Sequence, residues 1–168
     1  MKRFAGKGWA TAAFFAVVGF LSVAGIAGAI AAESAPTPQD QAKNEVDIRQ
    51  SIFKLQGWNM DPMAAMLRRR IPFNADVIKQ NAERIETLAS MIPDAFKPDT
   101  RKFNVDTEAL PLIWDNKDDF DKKAMHLVDE AKALAMTAAS GDKGMTIRAI
   151  ANVGKACGAC HDKFRKQQ

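Results

Sequence analysis

Only two of the chain's 168 residues are cysteine and two are histidine, and that scarcity narrows the available chemistry. A structural zinc site needs four ligands, and Cys157, Cys160, His126 and His161 are all the sulfur and imidazole donors of that kind, so zinc is a weak reading. Strand signals are missing as well. From residue 38 onward no run alternates apolar and polar residues with period two, and no Asn-Gly pair marks a hairpin. No segment repeats another, so nothing suggests a solenoid. The basic excess is also local. Of 24 Lys and Arg, Lys2, Arg3 and Lys7 fall within the first 31 residues with no acidic partner, leaving 21 against 20 Asp and Glu. A role in binding nucleic acid loses its support with them.

What the chain does contain is Cys157-Gly158-Ala159-Cys160-His161, close to its C-terminal end. A C-x-x-C-H run is the attachment signature of a c-type haem. Each thiol can add across one vinyl group of the porphyrin, and the adjacent imidazole is then delivered to the iron. A helix suits the spacing, because positions three and four apart share a face. Other readings of the pair are weaker. A thioredoxin-type redox motif expects a strand–turn–helix setting early in an α/β domain, and this pair ends a helix-patterned stretch. An accidental pair without a cofactor is the plainest alternative. One covalently attached haem c is therefore the expected cofactor, with Cys157 and Cys160 as attachment points and His161 as the axial iron ligand.

Residues 1–31 read as a signal peptide rather than part of the fold. Lys2, Arg3 and Lys7 form a positive start, an apolar stretch runs from Trp9 to Ile30, and Ala29-Ile30-Ala31 offers a small-residue cleavage site. A stretch of about 20 apolar residues is also long enough for a retained anchor. Its richness in Ala and Gly favours cleavage. Export fits haem attachment, which in bacteria takes place outside the cytoplasmic membrane, so the expected location is the periplasm. Residues 32–168 then make one domain with one core. Two haem propionates bring its net charge near −1.

Four helical stretches are expected, and together they predict an all-α, antiparallel four-helix bundle with the haem on the C-terminal helix. The first runs from about Gln39 to Arg69, with Val46, Ile48, Ile52, Phe53 and Leu55 supplying apolar faces and Pro62 a kink. The second follows Asn74 as N-cap and continues to about Met91, with Ile78, Ala82, Ile85, Leu88 and Ala89 on one side. A connection through Pro93, Pro98 and Pro111 leads to the third, from near Pro111 to Ser140, which Gly141 stops. The fourth extends from Asp142 to Arg165. In such a bundle the first helix neighbours the fourth and forms the natural distal wall over the haem.

The run from Val153 through Cys157, Cys160 and His161 to Arg165 resembles the end of class II c-type cytochromes, the cytochrome c′ family. Arg49-Gln50 followed by Gly57-Trp58-Asn59-Met60 is similar to that family's opening helix, and Leu110-Pro111-Leu112-Ile113-Trp114 to the start of its third. The resemblance implies that Cys157 and Cys160 hold the haem and that His161 is the proximal ligand. It puts Arg49 and Gln50 at the haem edge, where a guanidinium suits a propionate, and aligns Glu108 less securely with another edge position. Arg165, four residues after His161, is expected on the same helical face, beside the imidazole.

Phe53, one turn beyond Arg49, takes the distal position by the same resemblance. Low-spin relatives place a methionine there as sixth ligand, whereas phenylalanine has no donor atom. The expectation is an open, five-coordinate iron in an apolar pocket that admits nitric oxide or carbon monoxide. Met60, Met63, Met66 and His126 read more simply as core or surface residues. Arg68-Arg69-Arg70 suits a helix C-terminus and could also dock an acidic redox partner. The expected function is one-electron transfer with partner proteins in the periplasm, by a non-enzyme. A low-spin six-coordinate carrier, a module that sequesters nitric oxide, and a weak peroxidase are the alternatives; the last wants a polar distal acid–base group that Phe53 does not supply. Homodimers packed through the first two helices are common in the family, so a homodimer is expected.

Overall fold

The computed structural model describes residues 35–167, so the leader and its cleavage site lie outside the described residues. Four long helices, α1 (Pro38–Leu67), α2 (Ala75–Ser90), α5 (Lys117–Ala139) and α6 (Lys143–Phe164), are joined with two single-turn helices, α3 (Ile92–Ala95) and α4 (Leu112–Asp115). They form an antiparallel four-helix bundle. The described residues contain no strand, only an isolated antiparallel bridge between Ala109 and Arg165.

Local chemistry explains the helix ends. The Thr37 hydroxyl accepts from the Asp40 amide at 3.2 Å, and Pro38 occupies the first turn, where a missing N–H goes unnoticed. Asn74 accepts from Val77 at 3.0 Å and Asp142 from Met145 at 2.8 Å, capping α2 and α6 in the same way. Gly141 ends the connection from α5 with φ +77°, a left-handed conformation that glycine adopts freely. α1 continues through Pro62 to Leu67, and Arg69 closes the turn at φ 57°.

The third expected helix is two. Asn116 leaves helical geometry at φ −131°, ψ 46°, and its side-chain amide donates to the Leu112 carbonyl at 3.4 Å. Short amide side chains compete with the helix for backbone partners in this way, and the break separates α4 from α5. The proline-rich connection also contains the turn α3, built on Pro93 at its second position.

The buried stripe of α1 is Ala42, Val46, Arg49, Ile52, Gln56, Asn59, Met63 and Met66, spaced by threes and fours. This corrects the expected apolar faces. Ile48 and Leu55 are exposed at 42% and 49%, while polar Arg49, Gln56 and Asn59 point inward. Ile78 and Ile85 of α2, Leu134 of α5, and Ile150 and Val153 of α6 fill the centre with almost no exposure. Each such side chain contributes about 1.5–3 kcal/mol by leaving water. α2 packs chiefly on α1 and α5, and α5 on α6, while α1 touches α6 lightly. No helix among the described residues is long and apolar enough to cross a membrane.

Candidate haem site

α6 presents Cys157, Cys160 and His161 on one wall of a small cavity, faced by Phe53 and Gln56 of α1 and by Phe120 of α5. All three α6 residues are half-buried. Burial raises the Cys157 thiol above its ordinary range and pushes Cys160 up to about 11, with the Lys123 charge pulling it back slightly. Both thiols are free in the structure. Burial is also the main cause that lowers the His161 pKa, helped by the charge of Arg165. A neutral imidazole with an available lone pair is the form that binds a metal.

The Phe53 ring meets the His161 ring edge-on at 6.3 Å between centroids, and meets Phe96 at the same distance. The cavity among these groups amounts to about 20 Å³. That is room for roughly one small molecule, so a flat macrocycle enters only as Phe53 withdraws from His161. The donor set fits a c-type haem: two thiols and an imidazole on one helix, opposite a ring with no donor atom.

The haem-edge residues are placed unevenly. Arg49 is not a solvated surface charge; it is 3% exposed. Its guanidinium donates to the Ala95 carbonyl at 2.8 Å, the Thr100 hydroxyl at 2.9 Å and the Pro98 carbonyl at 2.6 Å. It also lies 4.7 Å from the centroid of Phe96 and 5.3 Å from that of Trp114. Its first task is thus to bind the connection between α2 and α4 onto α1, and two of its five N–H groups remain for other acceptors. Gln50 is exposed and donates to the Asp106 carbonyl at 3.3 Å. Glu108 is exposed, and its backbone carbonyl accepts from Lys166 at 2.8 Å.

Arg165 departs from expectation. α6 ends at Phe164, and Arg165 has extended geometry, φ −117° and ψ 145°, with an exposed side chain. The reason is the bridge to Ala109: the Leu110 amide donates to the Phe164 carbonyl at 2.9 Å, which draws the tail off the helix axis. Arg165 therefore does not share a helical face with His161, although its charge still acts on the imidazole.

Met63 and Met66 are buried in the core, Met60 packs against it, and none of the three lines the cavity. His126 is mostly exposed and lies 3.9 Å from Glu130, away from the cavity. The residue that sequence reasoning missed is Gln56. It lines the cavity, is 7% exposed, and its side-chain nitrogen has no hydrogen-bond partner. A buried donor left so costs about 1–3 kcal/mol. The available signal was its spacing, since Gln56 continues the stripe from Arg49 and Ile52.

The sequence model of the cytochrome c′ family matches residues 44–165. A cytochrome c′ from Pararhodospirillum photometricum is 34% identical over 72% of this chain and 95% of its own length. Among solved structures, a cytochrome c prime from Shewanella frigidimarina superposes with a TM-score of 0.69 at 37% identity, covering 75% of this chain and 97% of that one. A nitric oxide complex of a mutant cytochrome c prime from Alcaligenes xylosoxidans gives 0.68 at 31% identity, covering 76% and 97%.

Proposed function

The chain belongs to the cytochrome c′ family, and on that footing we propose that it is an exported monohaem cytochrome that carries single electrons in the periplasm and binds nitric oxide or carbon monoxide at an open iron position. The cofactor of the family is haem c, which supplies a one-electron iron couple and a coordination site. Cys157 and Cys160 would hold it through thioethers, and His161 would bind its iron. The observation that carries the reading is the pairing of His161 with Phe53 across one cavity. One ring offers the iron a nitrogen and the other offers nothing, and no methionine lines the space between. The nitric oxide complex of the Alcaligenes relative supports the ligand class.

Arg49 and Gln50 border the haem edge in this reading, Arg49 with two N–H groups left for a propionate. Glu108 lies at the same edge, and Arg165 tunes the imidazole through space rather than through contact. Protein donors and acceptors of electrons dock where the haem edge is exposed. A homodimer is part of the reading too, supported by the apolar side of α1 that the bundle leaves uncovered.

The test is the absorption spectrum of the purified holoprotein, oxidised, reduced and with carbon monoxide added. A high-spin spectrum that converts on adding carbon monoxide is expected. A sharp low-spin pattern in the reduced protein, unaffected by carbon monoxide, overturns the open-site reading.

A further inference from the structure

We propose that Gln56 is a distal hydrogen-bond donor, whose side-chain amide donates to the small ligand held at the iron. The inference rests on the haem reading above and adds a neutral amide donor to a pocket walled mostly by apolar side chains such as Phe53, Phe120 and Leu127. Gln56 sits three residues beyond Phe53 on α1 and lines the same cavity as His161. Its amide nitrogen is buried without a partner among the described residues.

The chemistry of the haem narrows what such a donor can meet. The porphyrin edge tied to Cys157 and Cys160 carries hydrocarbon substituents and thioethers. The propionates are charged and stay at the open edge, because burying a charge is far costlier than burying a methyl group. Inside the bundle, a ligand on the iron is then the acceptor that the haem site itself would offer Gln56. Lys123 also lines the cavity, but its charge acts on Cys160 and it is half-exposed, so water serves its ammonium. Asn59, one turn further along α1, has its own side-chain oxygen unpartnered and is the competing acceptor.

The probe is carbon monoxide on the reduced holoprotein, read by the C–O stretching band in the infrared. A donor beside the bound oxygen withdraws electron density and lowers that frequency. Gln56→Leu, similar in volume and without a donor, is expected to raise the band and to weaken carbon monoxide binding about fivefold, the size of one hydrogen bond. In the unaltered protein, exchange into D2O is expected to shift the band, which needs no variant to fold. A band that ignores both the substitution and the solvent overturns the proposal. A chain that carries no c-type absorption at all fails earlier, at the haem reading itself, so the two failures are distinguishable.

Discussion

Phe53 has no lone pair to give, and in the proposed function that single property decides what an iron held by His161 could bind. Its ring occupies the space beside His161, so a flexible thioether from the same backbone position reaches the same place. Phe53→Met in the holoprotein is therefore expected to shift the spectrum towards low spin; a spectrum that stays high-spin shows that α1 is not the distal wall. Arg49 makes the contrasting case. Replacing it by Ala strands the Ala95 and Pro98 carbonyls and the Thr100 hydroxyl and empties the space against Phe96. A loss of about 3 kcal/mol in chemical unfolding is expected, since hydrogen bonds to a charged group are the stronger kind. Arg49→Lys recovers only part of it, because an ammonium gathers its three N–H groups on one nitrogen, whereas the three acceptors are met by three separate nitrogens of the guanidinium. Single residues were legible to different degrees. The family resemblance is what points to Phe53, one turn beyond Arg49, whereas nothing in the sequence pattern singles out Gln56, because glutamine ordinarily faces water. Only the inward turn of α1 gives it a place in the cavity.

The helices were legible because their punctuation is chemical: Thr37, Asn74 and Asp142 accept from backbone amides, and Gly141 supplies a positive φ. Gly141→Ala is thus expected to lower stability by about 1 kcal/mol, read as a lower melting temperature with an unchanged haem spectrum. If the spectrum changes as well, the α5–α6 turn is coupled to the site in a way its position does not suggest. Where the elements differ from the expectation, apolar periodicity alone is ambiguous. α1 carries apolar residues on two adjacent faces, and sequence cannot say which one the bundle covers. The structure covers the face with Arg49, Gln56 and Asn59: the α2–α4 connection takes up the Arg49 guanidinium, the Leu55 carbonyl accepts from the Asn59 amide, and Gln56 faces the cavity with its amide nitrogen unpartnered. The break at Asn116 was hidden for a similar reason, since Ile113, Trp114 and Phe120 keep helical spacing across it. The tail beyond Phe164 depends on Ala109, a partner 56 positions away that no local pattern reveals.

At the scale of the whole molecule, the face of α1 that the bundle does not cover becomes the question. Ile48, Leu55 and Trp58 lie along one stripe of the helix and are exposed at 42%, 49% and 63%. An Arg84 guanidinium from α2 lies 5.6 Å from the Trp58 ring, so the stripe and α2 form a continuous surface. A two-fold axis through such a surface brings each residue against its own copy or a near neighbour, which lets one apolar stripe complete another. Aromatic anchors at the centre of a patch carry most of the energy of an interface. A charge at the centre acts twice in the same symmetry: Leu55→Glu sets two carboxylates together in a surface that excludes water. The variant is expected to sediment as a monomer where the unaltered holoprotein sediments as a dimer, with the same spectrum and melting behaviour once dilution is allowed for. An unaltered protein that is monomeric at micromolar concentration removes the interface, and a dimer that survives Leu55→Glu moves it off α1.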